Sequence, residues 1–425
     1  MGQHRIGVGE CFGQDKATNQ PSNMKNISKF ALLTGLGASL CIIAFAQLAD
    51  DQPNLSAESH PTQFGDPLRG LTEDQLAAFD GGLEDFQQVE TPESGLGPIF
   101  NNVSCVACHS APAVGGSSAI LETRFGRFMN GHFDPLIELG GSLLQQSAID
   151  PACQEFVPAE ANVTAQRQTT PLFGLGLIEA IPDGAILQNA DSPKPDGITG
   201  RPSIVLDVAS GERRVGRFGW KAQQATLLAF AADAYLNEMG ITSRLFPQEN
   251  APNGDLNLLA HCDAIADPED EVDPVTGKAD IDTFADFMRF LAPPPQSPMT
   301  TSANSGQTLF KQIGCATCHT PVMQTGKNSV EALDRKPVRL FSDLLLHNMG
   351  TLGDGIAQGT ATPREMRTAP LWGLRASAPY LHDGRAETVT AAIRAHDGEA
   401  TAPRDRFIRL SPTQRQQLLD FLNSI

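Results

Sequence analysis

The pentapeptide Cys-x-x-Cys-His occurs twice in this chain, as Cys105-Val106-Ala107-Cys108-His109 and as Cys315-Ala316-Thr317-Cys318-His319. Random placement of 8 Cys and 9 His among 425 residues would supply about 0.003 such pentapeptides. Two thiols one helical turn apart reach both vinyl groups of one porphyrin, and the adjacent histidine offers its imidazole to the iron as proximal ligand. The chain therefore has to fold around two covalently bound haem c groups, through Cys105, Cys108 and His109 at one site and Cys315, Cys318 and His319 at the other. Competing chemistries fit less well. A zinc site wants a second Cys or His pair roughly 12–20 residues on, whereas the two motifs are roughly 200 residues apart. A thioredoxin-like centre wants a βαβ setting that the flanks lack. Structural disulfides would leave both histidines unexplained.

Haem of this type is attached outside the cytoplasm, and the N-terminus carries a matching address. Lys25 and Lys29 precede an apolar run from Phe30 to Ala46 that ends Ala44-Phe45-Ala46, the layout of a secretory signal peptide. Residues 1–46 are read as that signal, with 1–23 an over-extended start ahead of Met24, and the mature protein is expected in the periplasm. The run is short for a bilayer span, so an uncleaved membrane anchor is the alternative. Leu40 stands where a lipidation signal wants a small residue, which argues against Cys41 as a lipid site. Beyond the signal and the motifs only Cys153 and Cys262 remain, and in an oxidising compartment a disulfide between them is the default.

Charge narrows the partners. With 31 Lys+Arg against 49 Asp+Glu, the net of −18 excludes nucleic acid or an anionic membrane surface as the main partner and suits a small basic electron carrier. Hydrophobic residues at 40% indicate a folded protein, and 39 Gly with 30 Pro indicate long loops.

The motif surroundings repeat. Thr169-Thr170-Pro171-Leu172-Phe173-Gly174-Leu175 is echoed by Thr368-Ala369-Pro370-Leu371-Trp372-Gly373-Leu374, at nearly the offset of the two motifs. The break falls at Ala292-Pro293-Pro294-Pro295, a Pro-rich linker. The predicted architecture is mainly α: two cytochrome c-like haem domains with long loops, residues 65–295 and 299–425. Thr72-Glu73-Asp74-Gln75 opens an early helix, Lys221 to Met239 forms another stopped by Gly240, and Phe284, Phe287 and Leu291 share a helical face. Ser411-Pro412-Thr413-Gln414 reads as a capping box before the last helix. The acidic stretch from Asp263 to Asp282 lacks EF-hand spacing and reads as a solvated loop.

Several stretches resemble the di-haem c-type oxidoreductase family, peroxidase-like proteins also described as thiol oxidoreductases and related to bacterial di-haem cytochrome c peroxidases. They run from Gly97 through the first motif to Gly116, and include Phe133-Asp134-Pro135-Leu136 and Gly216-Arg217-Phe218-Gly219-Trp220-Lys221. Further on they include Asp343-Leu344-Leu345-Leu346-His347-Asn348-Met349-Gly350, residues 367–374, Leu381-His382-Asp383-Gly384-Arg385 and His396-Asp397-Gly398-Glu399. The likeness spans roughly residues 65–425. It implies that a small soluble donor, of cytochrome c or cupredoxin type, delivers electrons to the C-terminal haem, with His319 proximal and Met349 distal. The N-terminal haem on His109 then reduces hydrogen peroxide. The alternatives are a di-haem electron carrier without a substrate site and a di-haem oxidase of an organic or protein substrate. The resemblance also leaves a calcium ion between the domains open.

Around this framework, His347 competes with Met349 as a ligand, and His132 is a weaker distal candidate for the first haem. Peroxide reduction needs an acid/base group beside the iron. Glu179, a carboxylate in the apolar run Leu177-Ile178-Glu179-Ala180, is the candidate, with Glu138 second. Trp220 and Trp372 are candidates for an electron path between the haems, and Arg217, Lys221 and Arg385 for propionate partners. No spare cysteine pair supports thiol oxidation.

Overall fold

The computed structural model describes residues 61–263 and 265–425; the signal peptide expected at 1–46 lies outside them. Among the described residues, seven α-helices precede the Pro-rich segment: α1 (Glu73–Phe86), α2 (Cys105–Cys108), α3 (Leu175–Glu179), α4 (Asp183–Asp191), α5 (Leu227–Met239), α6 (Leu256–Cys262) and α7 (Asp280–Phe290). Four follow it: α8 (Thr301–Gln312), α9 (Val389–Ala395), α10 (Thr401–Arg409) and α11 (Pro412–Leu422). The caps read from sequence are present. Thr72 and Ser411 each accept from the third helical N–H, while Gln75 and Gln414 return a bond to the cap residue's own N–H. The helix predicted from Lys221 starts later, at Leu227, where the Thr226 hydroxyl caps it. Lys221 itself is held in a buried ion cluster described below.

Strand is the larger departure. The described residues are 36% helix (3-10 turns included) and 16% strand, and one antiparallel sheet was not anticipated. Its centre is β2 (Leu121–Met129), after the short β1 (Ile99–Phe100). β3 (His132–Asp134), β4 (Leu143–Leu144) and β6 (Val163–Gln168) all pair with β2, and β5 (Ser147–Ala148) pairs with β1. The register Glu122↔Arg167 and Arg124↔Ala165 sets ion-paired residues where alternating apolar ones would mark a strand. A hairpin of β7 (Ser203–Asp207) and β8 (Glu212–Gly216) follows. The C-terminal half carries β9 (Met323–Gln324) with β10 (Pro337–Val338), and β11 (Leu346–Asn348) with β12 (Glu365–Arg367).

Two helix pairs frame the motifs. α1 lies on α7, with Phe287 at 5.4 Å from Phe79 and 4.8 Å from Phe86 between ring centroids. Gly82 permits this, because a Cβ there would stand 2.2 Å from the Thr283 carbonyl oxygen. α8 lies on α11 in the same way, and a Cβ on Gly306 would stand 1.9 Å from the Gln417 carbonyl oxygen. The larger core joins Phe79, Phe86, Tyr235, Phe284 and Phe287 to Met323, Leu340, Leu344, Leu345 and Trp372 from beyond the Pro-rich segment. That segment is itself packed: Ala292 N–H donates to Asp66 O, Arg375 donates to Pro295 O, and Ser297 N–H donates to Ser424 O. A smaller core of Phe310, Phe341, Phe407, Leu418 and Phe421 lies under the second motif. The described residues belong to one compact unit. No helix among the described residues is long and apolar enough to cross a membrane.

Candidate haem sites

The first motif is a single turn, α2, ending at His109, whose N–H donates to Cys105 O at 3.1 Å. The chain then doubles back through residues 111–117, closed by paired bonds between Ala111 and Ser117 and by Gly115 N–H to His109 O. Gly116 has no room for a side chain, since a Cβ would meet Ala111 O at 2.0 Å. This tight return sets the Gly116 carbonyl 3.0 Å from His109 Nδ1. A carbonyl only accepts, so Nδ1 donates to Gly116, and Nε2 is the nitrogen that would ligate an iron. Burial pushes the His109 imidazole down to about 4, which keeps it neutral and able to ligate.

The second motif reaches the same result by another route. Cys315–Thr317 is a 3-10 turn, and His319 Nδ1 lies 3.0 Å from the Phe341 carbonyl oxygen. Burial, then the nearby His396, push His319 down to about 4. Burial also pushes the thiols of Cys105 and Cys315 up to about 12 and that of Cys108 up to about 11. All four motif cysteines are unpaired.

The other expected residues fall out differently. His347 is buried with Nε2 2.9 Å from Asp343 Oδ2 and Nδ1 2.9 Å from Glu399 Oε2. Burial opposes its charge, but the bonds to Asp343, Cys318 and Glu399 prevail and raise it to about 12. Both ring nitrogens are therefore taken. Met349, two residues on, is half-buried with its N–H on Arg364 O at 2.8 Å. Glu179 ends α3 with both oxygens engaged, Oε1 by the Leu227 N–H at 2.8 Å and Oε2 by Arg289 Nε at 3.1 Å. Glu138 sits in an exposed turn and His132 is exposed at the start of β3. Cys153 and Cys262 are joined in a disulfide with Cα atoms 6.6 Å apart. From the acidic stretch, Asp267 and Glu269 come together with Glu249, their oxygens within 4.8 Å of one another.

Arg217 is paired with Asp183, Lys221 with Asp354 at 2.8 Å, and Arg385 with Asp383. The cation that stands apart is Arg367. It is 8% exposed, donates from Nε to Gly219 O at 2.7 Å and from Nη1 to Thr368 O at 3.2 Å, and meets no carboxylate among the described residues. Burial with no acid to offset it pushes the guanidinium down to about 10. A buried cation needs an anion, and a haem propionate is the anion these sites call for. Arg367 aligns with Gln168 in the repeated landmark, a difference of charge between the halves that the sequence already displays.

Two tryptophans lie where the halves meet. Trp372 lines a small pocket with Ala111, Pro112 and Ser117 of the loop after His109. Its neighbour Leu371 donates to Leu340 O, one residue before the carbonyl that holds His319. Trp220 Nε1 donates to Gln168 O at 2.8 Å and meets His382 edge-on at 6.3 Å.

One acid group went unseen in the sequence. Glu238 near the end of α5 bonds Asn101 Nδ2 at 2.8 Å and the carboxyl of Glu122 on β2. Burial, then the Glu122 charge, raise Glu238 to about 7. Asn102, whose N–H donates to Glu238 O, lies with its Nδ2 3.8 Å from Cys108 Sγ.

Residues 157–425 match the model of the family described as "Di-haem oxidoreductase, putative peroxidase". The chain belongs to this family. The matched span holds the second motif, while the first lies ahead of it and carries the same histidine anchoring. No curated protein matches this di-haem oxidoreductase. Among solved structures it is similar to hydrazine synthase of Kuenenia stuttgartiensis (14% identity, 96% of this chain and 100% of that one, TM-score 0.40). It is also similar to a MauG-like protein associated with microbial copper homeostasis (16%, 60% and 88%, 0.30). A third likeness is to a variant of the diheme peroxidase BthA from Burkholderia thailandensis (13%, 83% and 86%, 0.36).

Proposed function

We propose that this di-haem oxidoreductase is an exported c-type enzyme that reduces hydrogen peroxide at the haem of residues 65–295. Electrons would enter through the haem of residues 299–425. The observation that carries the direction is the acid beside the first motif. The Glu238 carboxyl bonds Asn101 Nδ2 and the Glu122 carboxyl, and its backbone carbonyl accepts from Asn102, whose Nδ2 lies 3.8 Å from Cys108 Sγ. Burial and then the Glu122 charge raise the carboxyl to about 7, which suits it to exchange a proton near neutral pH. The second motif is flanked instead by His347, locked between two carboxylates.

Haem, once attached, supplies the electron transfer and the binding of the peroxide oxygen. The chain supplies the rest. Cys105 and Cys108, with Cys315 and Cys318, would fix each porphyrin, and the Gly116 and Phe341 carbonyls orient His109 and His319 to hold an iron. Arg367 would balance a propionate. Met349 would ligate the second haem in this reading, and Trp372 lies between the loops of the two proximal histidines. Peroxide takes up two electrons and two protons to give two waters, and the Glu122–Glu238 pair is the proton reserve. A net charge of −18 favours a basic soluble donor, and the signal pattern at residues 1–46 supports a periplasmic setting.

Low-temperature EPR of the mature protein, oxidised and then half-reduced, tests this. The expected result is a high-spin ferric signal, lost in Cys105→Ala/Cys108→Ala, with peroxide consumed at the expense of reduced cytochrome c. Two low-spin signals in both states and no response to peroxide would leave an electron carrier. Oxidation of an added organic substrate in preference to cytochrome c would favour the oxidase reading.

A further inference from the structure

A tyrosine is buried beside the first motif with two carboxylates on its hydroxyl. Tyr235 on α5 is 3% exposed, and its Oη lies 3.0 Å from Asp280 Oδ2 and 3.2 Å from Glu90 Oε1. A phenol has one hydrogen to donate, so it cannot serve both acceptors at once. The proton therefore has two acceptors within hydrogen-bond reach. Glu90 is buried and also accepts from Ser94 Oγ at 2.6 Å, while the Asp280 N–H donates to Asp270 Oδ1 at 2.7 Å. Glu90 and Asp280 are also the acids whose charge acts on the Cys105 thiol, so the cluster lies next to the attachment point.

The ring is linked to the proximal histidine by aromatic contacts. Tyr235 meets Phe284 at 5.1 Å, Phe284 meets Phe86 at 6.3 Å, and Phe86 meets His109 at 5.9 Å between centroids. The sequence holds one other tyrosine, Tyr380, whose hydroxyl donates to the Leu374 carbonyl and to no carboxylate. Burial and the two acids hold the Tyr235 phenol well above its ordinary value, so it does not ionise first. An electron leaves this ring only together with the proton.

We propose that Tyr235 is a redox-active tyrosine of the first haem site, able to give one electron to peroxide being reduced there while its hydroxyl proton passes to Asp280. This rests on the peroxide-reducing function proposed above. When only one of the two electrons has arrived from the donor, Tyr235 supplies the other. Its O–H bond breaks, the proton moves to Asp280 Oδ2, and a neutral tyrosyl radical remains. The next donor electron reduces the radical, and the proton returns. Glu90 is the second acceptor. The site thus completes a turnover when the donor is scarce, without oxidising unspecified side chains.

Freeze-quench EPR on the haem-loaded full chain, first reduced by one electron and then mixed with hydrogen peroxide and no further donor, is the test. A tyrosyl signal is expected in wild type and in Tyr380→Phe, narrowed by ring-deuterated tyrosine, and absent in Tyr235→Phe. Asp280→Asn combined with Glu90→Gln lowers its yield about tenfold or more. The labelled Tyr380→Phe protein keeps Tyr235 intact, so the assignment does not depend on the folding of the Tyr235 variant. A haem spectrum that responds to peroxide with no tyrosyl signal, or with one that survives in Tyr235→Phe, overturns the proposal and leaves peroxide reduction standing. A haem spectrum that ignores peroxide overturns peroxide reduction instead. Tyr235 is then probed with flash-generated tris-bipyridine ruthenium(III). A Tyr235 radical with a solvent isotope effect supports the proposal, and its absence ends it.

Discussion

Arg167 donates from Nη2 to Asp354 Oδ2 at 2.7 Å, and the two side chains are 2% and 0% exposed. One comes from the sheet ahead of the Pro-rich segment and the other from the half beyond it. Lys221 Nζ completes the group on Asp354 Oδ1 at 2.8 Å. Burial works against the carboxylate, yet the Arg167 and Lys221 charges hold it below the usual range. Asp354→Ala leaves Lys221 without a carboxylate and Arg167 with only the 3.9 Å contact to Glu122 Oε1, and a buried pair broken in this way costs roughly 3–5 kcal/mol. Denaturant unfolding should show that loss; a change under about 1 kcal/mol, the surface-pair range, would contradict the assignment.

If Arg367 pairs with a propionate as proposed, Arg367→Gln removes a positive charge that would disfavour the ferric state of that haem. The midpoint potential of one haem should fall, by on the order of 1–2 kcal/mol for a unit charge about 10 Å away at an effective dielectric of about 20. The other haem should move much less. Spectroelectrochemical titration of the variant reads both values, and two unchanged potentials would mean that Arg367 faces no propionate.

Glu238 gives the fold a pH signature. Its folded value is raised from 4.5 to about 7 by burial and then by Glu122. The folded state therefore holds the proton more tightly than the unfolded chain. The associated stability is fully present below about 4.5 and is lost as pH rises through about 7. The stability of wild type minus that of Glu238→Gln should decline across this window and level off above it. A difference that rises with pH would reverse the reading.

The Cys153–Cys262 bridge closes a separation of 109 residues and ties the turn at Pro151–Cys153 to α6. Replacing both cysteines with serine should lower stability by about 2–4 kcal/mol, chiefly by freeing the unfolded chain. Thermal melts with and without a reductant check this: wild type should shift on reduction, and the double variant should not.

What could be read from the sequence was what local chemistry encodes. The two motifs, the caps at Thr72 and Ser411 and the stop at Gly240 all act within a few residues of themselves. The sheet was hidden because Glu122, Arg124 and Arg167 occupy positions where a strand normally declares itself by apolar alternation. Glu179 reads as a free acid among apolar neighbours. Its partners are the Leu227 N–H and Arg289, which lie 48 and 110 positions away. Arg367 looks like any other arginine until the fold leaves it without a carboxylate. The Glu122–Glu238 pair likewise exists only once β2 meets α5. Charge compensation is a long-range property, and spacing does not carry it.

The apolar interior that runs beneath the Pro-rich segment makes the two haem-bearing halves a single heirloom. Chain beginning near residue 299 and expressed alone would leave Met323, Leu340, Leu344, Leu345 and Trp372 as an adhesive face. The front half would be left with the opposite wound. Neither half is a spare part, because each closes apolar surface of the other.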